Sequence, residues 1–168
     1  MIYGLDPGVR KLALFGVPYD NGDPSYVHWS FTAPPLGRGF EVTHMRCSLE
    51  RYLQTDPEPI IFCEEPVVAG RRNLRTTIQI AETVGMVLAL DHPVYLVPVS
   101  SWKKETTGSG NASKDRVSEW LREEYEQYFS ACEGNQDIID AAAIAAYGRN
   151  VVNRASSAAM GTRPCSHQ

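Results

Sequence analysis

The chain has no run of 18 apolar residues, the length a helix needs to cross a bilayer. Its first residues, Met1-Ile2-Tyr3-Gly4-Leu5-Asp6, carry a charge where a signal peptide would need its apolar stretch. Cysteine is scarce and unpaired in spacing: Cys47, Cys63, Cys132 and Cys165 form no Cys-x-x-Cys pair, so neither a disulfide framework nor a thiolate zinc site is indicated. No internal repeat is present, and the scattered histidines suggest no Ser-His-Asp or Cys-His arrangement. Basic charge is not in excess either. The 16 Lys and Arg face 20 Asp and Glu, a net charge of −4, which at face value argues against a nucleic-acid partner. These absences lead to the expectation of a soluble, intracellular protein with reduced thiols and no membrane association.

What remains is the composition of one ordinary domain: 168 residues, 43% hydrophobic and 21% charged, enough to bury a core. Ile2 to Leu5 and Lys11 to Val17 are apolar runs, and Tyr26 to Phe31 alternates. Asn21-Gly22 between the last two suits a tight hairpin, so the chain opens as an antiparallel meander. Val42, Met45, Leu49, Tyr52 and Leu53 recur at helical spacing over residues 40–53. The pattern then changes to α/β alternation. Buried strands are expected at Ile60 to Cys63 and Val94 to Val99, and helices over about 76–91, from an N-cap at Ser113 to Tyr128, and over about 135–150. Residues 1–150 would form the domain. Residues 151–168, rich in Ala, Ser and Gly without apolar periodicity, would form a flexible tail.

Four carboxylates stand in unusual places: Asp6 after the first strand, Glu64 after the central buried strand, and Asp137 and Asp140 three apart on the last helix. Strands that are apolar to their ends bring the next residue to the carboxyl edge of a sheet, and residues i and i+3 of a helix share a face. Four acids converging there would repel one another unless divalent cations occupied the cluster, and oxygen-only donors select Mg²⁺ or Mn²⁺. Each signal also has an ordinary reading. Asp-Pro-Gly makes turns, and an acid near a helix start interacts with the helix dipole. Asp140, at the head of Ala141-Ala142-Ala143-Ile144-Ala145-Ala146, is harder to explain without a partner.

Taken in order, Gly4-Leu5-Asp6-Pro7-Gly8, the strand ending in Glu64, the stretch from Trp102-Lys103-Lys104 through Gly108-Ser109-Gly110-Asn111-Ala112-Ser113-Lys114, and Asp137-Ile138-Ile139-Asp140-Ala141 resemble the RuvC family of Holliday junction resolvases over residues 1–148. The resemblance implies an α/β, RNase H-like fold: a mixed five-stranded sheet, antiparallel meander first and parallel strands after, flanked by helices. It implies that Asp6, Glu64, Asp137 and Asp140 are metal-binding catalytic carboxylates for two Mg²⁺ or Mn²⁺ ions, with Glu65 as the competitor for the strand position. Lys103 and Lys114 match lysines that position or stabilise the cleaved phosphate. The implied activity is cleavage of four-way junctions, and of other branched DNA, to 5′-phosphate and 3′-hydroxyl ends by a homodimer. The apolar faces of the two middle helices are its candidate contacts. The implied setting is the cytoplasm of a bacterial or phage-infected cell, or an organelle.

One departure stands out. An aromatic expected shortly after the catalytic glutamate is replaced by Pro66-Val67-Val68-Ala69, followed by Arg71, Arg72 and Arg75. These arginines, with Lys104, Gly108, Gly110 and Arg116, are the candidate DNA contacts. The alternatives are an RNase H-like nuclease acting on RNA:DNA hybrids and a non-catalytic binder of DNA structures. The sugar-kinase and actin superfamily, which needs two such domains, does not fit the length. Removing the four carboxylates from 20 acids leaves 16 against 16 Lys and Arg, so the −4 equals the charge assigned to the site.

Overall fold

In the computed structural model the described residues are 1–19, 22–31, 37–67 and 74–161, with side chains through 158. The opening apolar segments form β1 (Ile2–Pro7), β2 (Lys11–Val17) and β3 (Ser25–Ser30), paired antiparallel in sequence order. They are followed by α1 (Arg38–Leu53), β4 (Ile60–Glu64), α2 (Leu74–Leu88), β5 (Val94–Val97), α3 (Val99–Thr107), α4 (Lys114–Glu124), α5 (Glu126–Ala131) and α6 (Gln136–Gly161). β4 adds to β1 in parallel and β5 adds to β4 in parallel, giving the order β3-β2-β1-β4-β5. The expected mixed five-stranded sheet is thus observed. Because β1, β4 and β5 run the same way, their carboxyl ends meet at one edge.

Strand alternation divides the core in two. Tyr3, Leu5, Leu12, Leu14, Ile61 and Cys63 point to one face and pack under Met45, Leu49 and Leu53 of α1 and Val84, Met86 and Val87 of α2. Ile2, Ala13, Phe15, Val17 and Phe62 point to the other, under α6 and Trp102. α6 lies very close to the sheet. A Cβ on Gly4 would stand 2.0 Å from the Ala141 carbonyl oxygen and 2.3 Å from the Ala145 nitrogen, and one on Gly148 would stand 2.4 Å from the Phe62 ring. Glycine opposite alanine therefore lets the α6 backbone rest on β1. Asp6 lies two residues beyond Gly4 on the same face and Asp140 immediately precedes Ala141, so this contact also sets the distance between the carboxylates.

Several boundaries differ from expectation. β5 stops at Val97 because Pro98 has no N–H for the ladder, and Pro98 instead caps α3, a nine-residue helix that buries Trp102 and Thr106 one turn apart. The helix expected to reach Tyr128 breaks at Tyr125 (φ −143°, ψ 62°) into α4 and α5. The largest correction concerns the tail. α6 continues past Asn150 to Gly161, since residues 151–160 include no glycine or proline to stop it. Arg154 on that extension donates to both carboxylate oxygens of Glu105 on α3, at 2.7 and 3.1 Å. Residues 162–168 and Asn21 of the expected hairpin turn lie outside the described residues. Among the described residues no helix is long and apolar enough to cross a membrane.

Candidate active site

Asp6 and Glu64 end adjacent parallel strands. Leu5 pairs with Cys63 and Glu64 with Val97, so the two carboxylates advance in step to the carboxyl edge. Glu64 shares the phase of Phe62, which packs toward α6, while Glu65 takes the opposite phase and is exposed. It is Glu64 that faces Asp6. The same row continues away from β4: Asp6 pairs with Ala13, and Ala13 with His28 of β3.

The start of α6 lies over this row. The Asn135 side chain caps the helix, accepting from the backbone N–H groups of Asp137 at 3.0 Å and Ile138 at 3.5 Å. Asp137 and Asp140 then project from one face. Oδ2 of Asp137 lies 3.4 Å from Lys11 Nζ and 3.2 Å from His28 Nε2. Oδ1 of Asp140 accepts from Gln136 Nε2 at 2.9 Å, and its Oδ2 lies 3.8 Å from Lys114 Nζ. Glu64 accepts from the Trp102 indole N–H at 3.1 Å.

Asp6 is the exception, because among the described residues no side chain donates to it. Burial, reinforced by the negative charges of Glu64, Asp140 and Asp137, pushes its pKa up to about 8 against the opposing pull of Lys114. Glu64 and Asp140 are also held above the ordinary carboxylate range, chiefly by burial. The Trp102 bond offsets part of this for Glu64, and the Gln136 bond and the nearby lysines do so for Asp140. Such a set takes up either protons or cations. In donor type and in charge it fits a hard divalent ion. In position it is open: among the described residues no three of His, Cys, Asp and Glu close on a single point. The four carboxylates converge loosely, and three of them have protein partners.

No family model matches the sequence, and no curated protein matches it. Solved structures do. The chain is similar to Thermus thermophilus RuvC, with a TM-score of 0.65 and 20% identity over 96% of each chain. It is equally similar to T. thermophilus RuvC in complex with a Holliday junction substrate, at 0.64 and 20%, again over 96% of each. A Fowlpox virus resolvase in complex with its substrate Holliday junction DNA matches at 0.50 and 12%, over 89% of this chain and 99% of that one. The fold is that of RuvC. At these identities the likeness establishes an RNase H-like architecture.

Within this RuvC-like fold the expected site residues separate into groups. Asp6, Glu64, Asp137, Asp140 and Lys114 are brought together. Lys103 lies near enough to affect Glu64 and Asp140 electrostatically, while its ammonium donates to the Ala112 carbonyl at 2.8 Å and so holds the glycine loop. Gly108 ends α3 in a left-handed conformation (φ 81°), and Gly110 lies close against Ser100, where a Cβ would stand 3.0 Å from the Ser100 carbonyl oxygen. Lys104 is exposed, and Arg75 is exposed in the first turn of α2. Arg116 pairs along its own helix with Glu119 at 2.7 Å and Glu123 at 3.6 Å. Arg71 and Arg72 lie outside the described residues. A cleft of about 350 Å³ opens beside the carboxylate edge, between Pro66 and Val67, Pro98 and Val99, and Gly110 and Asn111.

Sequence reasoning assigned no role to Lys11, His28, Trp102 or Gln136. Trp102 stood inside the quoted glycine-loop motif, and Gln136 precedes Asp140 by one helical turn. His28 and Lys11 had no local signal, because only the strand register places them in the row.

Proposed function

We propose that this chain is a structure-selective DNA endonuclease that resolves four-way junctions by divalent-cation-dependent hydrolysis. The observation that carries this reading is the juxtaposition of Asp6 and Glu64 at the sheet edge with Asp137 and Asp140 above them, Asp6 being half-buried with no side-chain donor among the described residues. Two of the similar structures hold Holliday junction DNA, which supports the choice of substrate. Asp6, Glu64, Asp137 and Asp140 would hold Mg²⁺ or Mn²⁺. When bound, these ions supply Lewis-acid stabilisation of the phosphate and a more acidic water. Trp102 and Gln136 hold Glu64 and Asp140 in orientation by neutral hydrogen bonds. Lys114 and Lys103 contribute positive charge where the phosphodiester would lie. Water adds to phosphorus and the bond to the 3′ oxygen breaks, leaving 5′-phosphate and 3′-hydroxyl ends.

Arg71, Arg72, Arg75, Lys104, Gly108, Gly110 and Arg116 are the proposed contacts to the DNA arms. The residues exposed on α2, Leu74, Ile78 and Leu88, offer an apolar contact for a second copy, and the twofold symmetry of a junction calls for two sites. The test is incubation with a labelled four-way junction, a fork and an RNA:DNA hybrid, with and without Mg²⁺, using wild type, Asp6→Asn and Asp140→Asn. The expected result is Mg²⁺-dependent cutting of the junction by wild type, with both variants binding the junction but cutting below detection. Variants that cut as fast as wild type would overturn the site assignment. Preference for the hybrid would make the protein a ribonuclease, and binding without nicking would make it a DNA-structure binder.

A further inference from the structure

Lys11 and His28 converge on a single atom, Oδ2 of Asp137. Lys11 reaches it because it shares the phase of Ala13 and Phe15 on β2, and His28 because it pairs with Ala13. The two differ in freedom. The His28 side chain is 19% exposed and fixed within the sheet, whereas that of Lys11 is 59% exposed on a flexible four-carbon stem. Of the four site carboxylates, Asp137 is the one whose side chain, among the described residues, is contacted by basic side chains within hydrogen-bond distance. Glu64 and Asp140 receive neutral hydrogen bonds from Trp102 and Gln136, and Lys114 stands off from Asp140 at 3.8 Å, beyond hydrogen-bond reach. A cation approaching Asp137 must therefore compete with an ammonium already in place, and the exposed ammonium is the weaker hold.

We propose that Lys11 gates Asp137. Without DNA it competes with the divalent cation for Oδ2, and a DNA phosphate arriving beside β2 draws the ammonium away, opening Asp137 to the cation while His28 keeps the carboxylate in orientation. This rests on the reading of the four carboxylates as a cation centre. By linkage, DNA and cation then strengthen each other's binding through this one side chain. Lys11 is thereby a positioning residue, acting on the centre through Asp137.

The test is Mn²⁺ binding measured by isothermal titration at one fixed pH, without DNA, on the full chain as wild type, Lys11→Met, Asp137→Asn and the double variant, with Lys11→Gln as a second removal of the charge. Lys11→Met and Lys11→Gln are expected to bind Mn²⁺ about three- to tenfold more tightly than wild type, and this gain is expected to vanish in the Asp137→Asn background. With saturating four-way junction present, the Mg²⁺ concentration giving half-maximal cleavage is expected to agree within about twofold between wild type and Lys11→Met, because DNA has already displaced the ammonium. A gain that persists in Asp137→Asn would overturn the proposal, since it would then be a general charge effect. So would unchanged Mn²⁺ affinity, or a difference that survives saturation with junction. If neither wild type nor the Lys11 variants bind Mn²⁺, the cation centre itself fails and the gate with it, whereas normal binding indifferent to Lys11 sinks the gate alone.

Discussion

On the α1 and α2 side the sheet is covered by long and branched side chains such as Leu5, Leu12, Leu14, Met45 and Leu49, all fully buried, while on the α6 side alanines and glycines let one backbone rest on another. The first face stabilises the fold by volume and apolar area; the second sets a distance. The acidic centre lies at the end of the second face, where a small change in helix height moves Asp137 and Asp140 relative to Asp6 and Glu64. The first face contributes from behind. Arg38 donates to the Val9 carbonyl, to the Gln79 carbonyl at 2.6 Å and to the Thr83 hydroxyl at 2.7 Å, and the Thr83 hydroxyl lies 3.3 Å from the Gly8 carbonyl oxygen it donates to. The turn that follows Asp6 is thus held from the aliphatic side, and the carboxylates are spaced from the other.

The sharpest way to break this contrast is one substitution on each face. Gly4→Ala places a methyl against backbone atoms that cannot rotate away, with an expected cost of about 3 kcal/mol or more, and cleavage by the folded fraction should fall as well because α6 is lifted. Leu49→Ala should cost about 2–5 kcal/mol while the folded fraction cuts a junction at close to the wild-type rate. Denaturant melts paired with activity normalised to folded protein separate the two. If Gly4→Ala retains full specific activity, the α6 face does not set the site.

A second measurement concerns the charge stored on the α6 face. The pKa of Asp6 is about 8 in the fold and about 3.9 in the unfolded chain. A group raised in this way favours the fold fully below the lower value, and that contribution is lost as pH rises through the upper one. Cation-free wild type should therefore lose on the order of 5 °C in Tm between about pH 5.5 and 8.5, and Asp6→Asn should flatten the curve and exceed wild type at the alkaline end. Parallel curves would show that Asp6 carries no such burden. The smallest effect is expected at Trp102. Phenylalanine fills most of the buried indole's space but removes the N–H from Glu64, so junction cleavage should drop about tenfold, with stability lowered by about 1–2 kcal/mol.

Much of this was legible from residues alone, for identifiable reasons. The apolar runs of β1, β2 and β4 and the periodicity of α1 and α2 survive because burial is their cause, and the Ser113 cap works as expected, accepting from the Arg116 backbone at 3.3 Å. α3 escapes a sequence reading because its nine residues are shorter than the window over which a helical repeat declares itself. The extension of α6 was missed because polarity without periodicity reads as a tail, yet it still forms helix when nothing stops it. The four acids stand out by odd placement and by the i,i+3 spacing of Asp137 and Asp140, but how closely they approach in space depends on the height of α6 above the sheet. His28 entered only through strand register, a relation between residues far apart in the chain.

The sequence by itself determined which segments are buried and that four acids sit at positions where acids are costly, since burial leaves its pattern in neighbours along the chain. Only the tertiary structure decided that Glu64 and not Glu65 faces Asp6, that α6 descends onto Gly4, and that Lys11 and His28 share one oxygen of Asp137. Those outcomes depend on the pairing phase of strands and the height of a helix above them, which no local pattern encodes, because one residue of register exchanges the two faces of a strand.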